Sequence, residues 1–288
     1  MKSAIQLRDG RTLAYAIYGD PQGTPVFFFH GSPGSRLFRP PDEVTRRLGV
    51  RLICTDRPGY GDSTFQPERR IMDWPTDVAQ LADHLGFDKF TLIGHSGGGP
   101  HTLACAYALP ERVTAAGVVA GAGPVDTPNA TGGMIFLHRL GFKVGQYMPW
   151  SFWYLMVRYL FREIAADPTK AIDRDKDTWP PADREILTTP DIRELCIQSD
   201  TEAYRHGLLA YAWDARLLTR PWGFPLEEIK VPVHLWHGTV DNSTSVAMAR
   251  YMAGKINNSK LVICEGEGHM LLIPHWEEIL TALIRMSL

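Results

Sequence analysis

Cysteine is scarce: Cys54, Cys105, Cys196 and Cys264 are the only four among 288 residues. They lie far apart, with no CxxC pair and no Cys/His ligand cluster. That spacing argues against a zinc site and against a disulfide framework. The set reads as reduced, buried thiols in a reducing compartment, and Cys54 and Cys264 fall inside apolar strand-like runs. A surplus of positive charge is also missing. The 30 Lys and Arg side chains stand against 32 Asp and Glu, a formal charge of −2. Nucleic-acid binding or polybasic membrane attachment would need a basic excess or stripe, so neither is expected. Long apolar runs are lacking too. The most apolar stretch, Trp150–Phe161, is too short to span a bilayer and contains Arg158. Met1–Gly10 holds no apolar h-region, so no secretory signal is read there and a cytoplasmic protein is expected.

What is present looks like an ordinary globular chain, with 44% hydrophobic and 22% charged residues. Such a length buries a large core without covalent staples. The first 121 residues alternate strand-like and helix-like runs. Thr12–Tyr18, Thr24–Phe29, Val50–Cys54, Lys89–Ile93 and Val113–Ala120 read as strands. Asp77–Leu85 and Pro100–Ala108 carry helical spacing between them. From Gly121 to about Glu228 no good parallel-strand run occurs. Helical segments replace them at Met134–Gln146, Trp150–Ile164, Pro190–Ser199 and Thr201–Leu218, and half of the 30 aromatic residues fall here. Alternation resumes with strands at Val231–Trp236 and Leu261–Cys264 and helices at Val246–Ala253 and Trp276–Met286. The pattern predicts a doubly wound, mostly parallel α/β sheet of eight strands. Residues 1–121 and 229–288 form its core domain, and a helical cap at 122–228 is inserted after strand 6.

Chemistry in such a sheet sits at the carboxyl ends of the strands. Four motifs occupy those places. Gly94-His95-Ser96-Gly97-Gly98 follows an apolar strand and precedes a helix, the setting a nucleophile elbow requires. His30-Gly31-Ser32-Pro33-Gly34 follows the strand ending at Phe29. A tetrahedral oxyanion needs two preorganised N–H donors. Gly97 supplies one, and Ser32 the other, because Pro33 has no N–H. Asp241 follows the strand ending at Trp236, in His237-Gly238-Thr239-Val240-Asp241. His269 follows the last strand, in Gly266-Glu267-Gly268-His269. The order Ser96, Asp241, His269 suits a triad in which His269 takes the serine proton and Asp241 holds the imidazole.

These motifs resemble the α/β-hydrolase superfamily, specifically its capped esterase and epoxide-hydrolase-like branch, over nearly the whole chain. Asp56-Arg57-Pro58-Gly59-Tyr60-Gly61-Asp62-Ser63 is similar to the D-x-P-G-x-G-x-S loop of that branch, which implies a structural tight turn near the oxyanion loop. The resemblance further implies a cis Ser32–Pro33 peptide. Epoxide hydrolases and haloalkane dehalogenases of this fold use aspartate at the elbow. Ser96 implies acyl transfer to water instead. Proline iminopeptidases usually show tryptophan after the nucleophile, where Gly97 stands, and ring-cleavage carbon–carbon hydrolases carry a differently spaced oxyanion motif. Both rank below an esterase.

Other residues bear lesser expectations. Asp126 is the alternative triad acid, because some relatives place the acid after the preceding strand. His30, Gly31 and His95 flank the oxyanion site as supporting groups, and His237 is a turn residue before Asp241. The aromatics Phe136, Trp150, Trp153, Tyr154 and Trp213 are candidates for an apolar substrate pocket, set against the commoner role of such stripes as core. The charged run Asp173–Asp177 reads as a solvated face of the cap. The expectation is a serine hydrolase that needs no metal or cofactor and cleaves a small-to-medium apolar ester, lactone or thioester. Competing readings are an amidase or carbon–carbon hydrolase of the same fold, and a ligand receptor with slow turnover. Nothing in the pattern demands an oligomer.

Overall fold

A computed structural model of the chain describes residues 2–287. The chain runs β1 (Lys2–Gln6), β2 (Thr12–Gly19), β3 (Thr24–Phe29), α1 (Asp42–Arg47), β4 (Val50–Thr55), α2 (Trp74–Leu85), β5 (Phe90–His95), α3 (Gly98–Ala108) and β6 (Val113–Val119). Helices then follow one another: α4 (Phe136–Val144), α5 (Trp150–Ala166), α6 (Pro168–Asp175), α7 (Pro181–Thr188), α8 (Pro190–Ala203) and α9 (Leu209–Leu218). β7 (Val233–Gly238), α10 (Val246–Lys255), β8 (Ser259–Cys264) and α11 (Trp276–Ser287) complete it. The eight strands make one sheet in the order β1-β2-β4-β3-β5-β6-β7-β8. β2 pairs antiparallel with β1 and β4, and every pairing from β4 to β8 is parallel.

The central strands are apolar throughout because helices cover both faces of the sheet. β3 shows how the two-residue period divides the core. Phe27 and Phe29 pack with Trp74, Leu81 and Leu103 of α2 and α3. Val26 and Phe28 pack with Trp276, Ile279 and Leu280 of α11 on the other face. β5 repeats the division, with Leu92 on the first face and Ile93 on the second. From β3 the chain moves outward to β4, then returns to the other side of β3 as β5. The loops leaving β3 and β5 therefore face each other across this reversal, the usual place for a ligand crevice.

The largest departure from expectation concerns the helices between β6 and β7. α8 continues to Ala203 instead of stopping at Ser199, and α9 begins only at Leu209. The break falls where Gly207 takes a φ of 82°, a left-handed conformation that ends helices easily at glycine. α6 and α7 are short helices begun by Pro168 and Pro181, too brief to show a helical period. β1, within the segment read only for a leader, pairs with β2; Met1 lies outside the described residues. Asp173, Lys176 and Asp177 are exposed as expected, and the side chains of Arg174 and Asp175 lie outside the described residues. Among the described residues no helix is long and apolar enough to cross a membrane. Cys54, Cys105 and Cys264 are buried free thiols, while Cys196 is half-buried.

Candidate active site

Ser96 occupies the turn between β5 and α3 with a φ of 54°. This left-handed conformation is costly for a residue carrying a Cβ, and it persists only where the surroundings impose it. Here they do. The Ser96 amide donates to the Val119 carbonyl at 3.0 Å, and its own carbonyl accepts from the Gly99 and Ala122 amides at 3.0 and 3.1 Å. The flanking glycines answer to crowding. A Cβ on Gly94 would lie 2.5 Å from the Gly98 oxygen, and one on Gly98 would lie 2.2 Å from the Phe29 oxygen. The turn is thus pinned by β6 and pressed against the end of β3, and Ser96 lines the cavity above it.

His269, beyond β8, lines the same cavity. Its Nδ1 lies 2.8 Å from Oδ2 of Asp241, beyond β7. The Asp241 carboxylate is otherwise saturated: Oδ1 accepts from the Ser243 and Thr244 amides at 2.8 and 3.0 Å, and Oδ2 from the Thr244 hydroxyl at 2.9 Å. Burial alone would raise the Asp241 pKa, but His269 and these donors outweigh it and hold the group at about 2. Burial likewise opposes charging of His269, yet Asp241 prevails and raises the imidazole above its ordinary 6.5. Asp241 therefore fixes Nδ1 as the protonated nitrogen and leaves Nε2 as the basic one. Among the described residues no hydrogen bond joins Ser96 to His269, so the serine hydroxyl faces the cavity without a protein partner. Asp126, the alternative acid, is exposed, and its carboxylate accepts only from the Tyr251 hydroxyl at 3.5 Å. It stands apart from His269.

The residues read as supporting groups surround this centre as neutral donors. His95 is buried and its pKa is lowered to about 3, chiefly by burial. Its Nε2 donates to the His269 carbonyl at 3.0 Å, and its ring stacks on Phe38. His30 is held neutral by burial and by Arg57. Its Nδ1 donates to the Gly31 carbonyl at 2.7 Å, while Nε2 accepts from the Arg57 amide at 3.4 Å. Ser32 and Gly97 abut, since a Cβ on Gly97 would come within 3.3 Å of the Ser32 nitrogen. The Ser32–Pro33 peptide is cis. His237 is a residue of β7 and not of the turn, as it pairs with Ile263 in the sheet; it is buried, and its Nε2 donates to the Thr244 carbonyl at 3.2 Å.

Two buried carboxylates, Asp214 and Asp183, escaped the sequence reading. Asp214 of α9 is wholly buried and accepts from Arg57, from Arg69 and, at 2.8 Å, from the Ser32 hydroxyl. Burial would raise its pKa, but the two guanidinium groups hold it well below the usual carboxylate range. Arg57 in turn donates to the His30 and Gly31 carbonyls and to the Ser32 hydroxyl. Asp183 of α7 accepts the amides of His269 and Met270, each at 2.8 Å. Gly268 permits this approach, because a Cβ there would lie 2.3 Å from the Asp183 carboxylate. No local signal marks Asp183 or Asp214. Each lies in a helix of ordinary composition, and its partner is distant in sequence.

The cavity holds about 410 Å³. The strand-end loops line one side, and α4, α5, α8 and α9 line the other with apolar and aromatic groups such as Trp153, Leu160, Phe161 and Tyr211. Of the five aromatics read as pocket candidates, only Trp153 lines it, with its Nε1 donating to the Ala212 carbonyl at 2.7 Å. The other four require correction. Phe136 is 77% exposed. Trp150 packs between Tyr154 and Trp213, and Trp213 donates to the Arg69 carbonyl at 2.9 Å. These three pack together where α5 meets α9, outside the cavity lining, although positions 150, 153, 154 and 157 share one helical face. Among the described residues no group of three His, Cys, Asp or Glu side chains is disposed to hold a metal ion.

Comparison with known proteins agrees with this fold. The model of the alpha/beta hydrolase family matches residues 26–282. A proline iminopeptidase of Lactobacillus helveticus is 25% identical over 294 aligned residues, covering 93% of this chain and 92% of its own. Curated relatives at 36% and 33% identity are matched over only about a third of their own length. A hydrolase from Pseudomonas aeruginosa superposes with a TM-score of 0.72 at 18% identity, over 98% of both chains. An esterase from Exiguobacterium antarcticum superposes with a TM-score of 0.68 at 21% identity, over 100% of this chain and 99% of its own.

Proposed function

Because the chain belongs to the alpha/beta hydrolase family, matched over residues 26–282, we propose that it is a serine hydrolase acting on a predominantly apolar acyl compound, an ester, lactone or thioester. The observation that carries this reading is the pairing of His269 with Asp241 at 2.8 Å, beside a serine held at a φ of 54° at the mouth of an apolar cavity. In this reading Ser96 Oγ attacks the substrate carbonyl carbon as His269 Nε2 takes its proton. The imidazolium is stabilised by Asp241, and the oxyanion rests on the Ser32 and Gly97 amides. Neither amide donates to a backbone carbonyl among the described residues. Collapse of the tetrahedral species expels the alcohol, which takes the proton from His269. Water, activated by the same nitrogen, then releases the acid and restores Ser96. His30 must be neutral here, since its Nε2 accepts from the Arg57 amide while Nδ1 donates to the Gly31 carbonyl, and His95 donates to the His269 carbonyl.

In the same reading, residues 1–121 and 229–288 form the catalytic core, and the helices within 122–228 act as a cap that closes the cavity and selects the acyl group. The test is intact-mass analysis after treatment with a fluorophosphonate. One adduct on the wild-type chain and none on Ser96→Ala is the expected result. An unlabelled wild type, or labelling that survives Ser96→Ala, would overturn the assignment of Ser96.

A further inference from the structure

Asp200 is the one carboxylate lining the cavity, and no Lys or Arg lines it among the described residues. It lies on α8, next to Ser199, whose hydroxyl accepts from the Ser35 amide in the loop after β3 at 3.1 Å. The buried carboxylates around the site are each compensated. Asp241 has His269, Asp214 has Arg57 and Arg69, Asp183 has two backbone amides, and Asp56 has Arg36. Among the described residues no hydrogen bond or ion pair reaches the Asp200 carboxylate, and burial alone accounts for its perturbation, raising its pKa to about 7. Asp200 is half-buried in this cavity wall; a carboxylate without a partner in apolar surroundings is costly to ionise, so a protein that keeps one commonly uses it on something that arrives.

Its surroundings narrow what arrives. Tyr204 and Tyr211 also line the cavity, and burial, with the added influence of Asp200, raises the pKa of both. Their rings lie 6.1 Å apart, and Phe161 meets Tyr211 at 4.9 Å. Aromatic faces beside one anionic group make a receptor for an alkylammonium, which gains from ring quadrupole and carboxylate together. Of the remaining titratable groups in the lining, His269 carries any positive charge against the Asp241 carboxylate at 2.8 Å, and the others are neutral. His95 and His138 are held neutral mainly by burial, and Cys196 is kept a thiol by burial, at about 12.

We propose that Asp200, with Tyr204 and Tyr211, recognises a protonated amine on the substrate, so that the compound hydrolysed is an acyl substrate with an apolar body and one ammonium group. This rests on the serine hydrolase reading and adds the substrate class to it. It assigns α8 the task of selecting by charge within a cavity that otherwise selects by apolar shape.

The experiment is protection of Ser96 from the fluorophosphonate at about pH 8, with hexylammonium chloride compared with hexan-1-ol, a pair of similar length differing in charge. Half-protection of the wild type is expected at a concentration about tenfold or more lower for the ammonium. In Asp200→Asn the two compounds should become equal within about threefold. Equal protection of the wild type by both compounds overturns the proposal whether or not the variant folds, as does a preference that survives Asp200→Asn. If Ser96 takes no label, the serine hydrolase reading fails instead. The amine site is then decided by the melting temperature. A rise with hexylammonium but not hexanol, lost in Asp200→Asn, supports it, and no difference between the two overturns it.

Discussion

The hydroxyl of Ser32 donates to Asp214 at 2.8 Å, across 182 residues of sequence. One end of that contact belongs to the loop after β3, and the other to the last helix before β7. Arg57 bridges the two, and its further bonds to the His30 and Gly31 carbonyls fix the peptides that precede the Ser32 amide. The orientation of one proposed oxyanion donor is therefore set by a carboxylate from α9. Replacing Asp214 by Asn leaves Arg57 and Arg69 buried with only a neutral partner. A loss of about 3–5 kcal/mol in urea unfolding is expected. Turnover should also fall, about tenfold or more, with KM little changed, because the oxyanion contact is made mainly in the transition state. An Asp214→Asn protein with wild-type stability would show that this network contributes nothing.

Ser96→Ala and His269→Ala should each lower ester turnover by on the order of 10⁴. Asp241→Asn should cost a similar order, since the amide holds the wrong imidazole tautomer. Asp126→Asn should leave turnover within about twofold, as a surface substitution. Steady-state rates of the four variants on one activated ester separate the two candidate acids directly. Loss in Asp126→Asn with activity kept in Asp241→Asn would transfer the acid to the other strand.

His269 acts as a base only when neutral, and its pKa is raised above 6.5 because Asp241 outweighs burial. For a neutral ester, kcat/KM should rise with pH through that raised value and level off above it. In Asp241→Asn the main opposing anion is gone and only Asp183 still works against burial, so the inflection of the residual activity should move to lower pH. A pH–rate profile of wild type and variant with the same inflection would contradict the coupling of these two groups.

His101 is buried beneath the serine turn, and its Nδ1 donates to the Gly97 carbonyl at 3.0 Å. Burial, and then Arg57, lower its pKa to about 3. Between that value and the ordinary 6.5 the unfolded chain binds one proton more than the folded chain, so this residue's contribution falls as pH falls. Asp56 and Asp200, raised by burial to about 6 and about 7, act in the opposite sense. The difference between wild type and His101→Gln isolates the histidine. It should shift by roughly 1.4 kcal/mol per pH unit between about pH 6 and pH 4, measured by urea titration.

Asp183→Ala removes the acceptor of two backbone amides, His269 and Met270. With those amides left unsatisfied, a loss of roughly 2–5 kcal/mol is expected, together with a fall in kcat as the His269 loop loosens. Asp183→Asn retains one acceptor oxygen and should recover part of both. Urea midpoints and kcat of the two variants check this. Equal effects of Ala and Asn would mean that the carboxylate is not what holds the loop.

Much of the sheet was legible because its signals are local. β3 and β5 are apolar along their length, and Gly94, Ser96 and Gly98 mark a turn within five residues. Strand-end placement then brought His269 and Asp241 to the same edge without any contact being visible in the sequence. The inserted helices were read less well, since their ends depend on Gly207 and on prolines that begin very short segments. The pocket aromatics failed for a related reason. A stripe on α5 shows that a face is apolar, but not which of its residues reach the cavity, and Trp153 rather than Trp150 lines it. Asp183, Asp200 and Asp214 carry no local mark at all. Their roles arise only when segments far apart in the chain are brought together.

The two carboxylates reaching down from α7 and α9 constrain how this protein can change. Were the segment between β6 and β7 exchanged for that of a relative, the newcomer would fail unless it brought acceptors to the same two places. The loop bearing His269 would lose its clamp, and Arg57 would lose its counter-charge beneath Ser32. The inserted helices and the sheet are thus bound to diverge together, and a graft intended only to alter substrate choice would disturb the reacting groups as well.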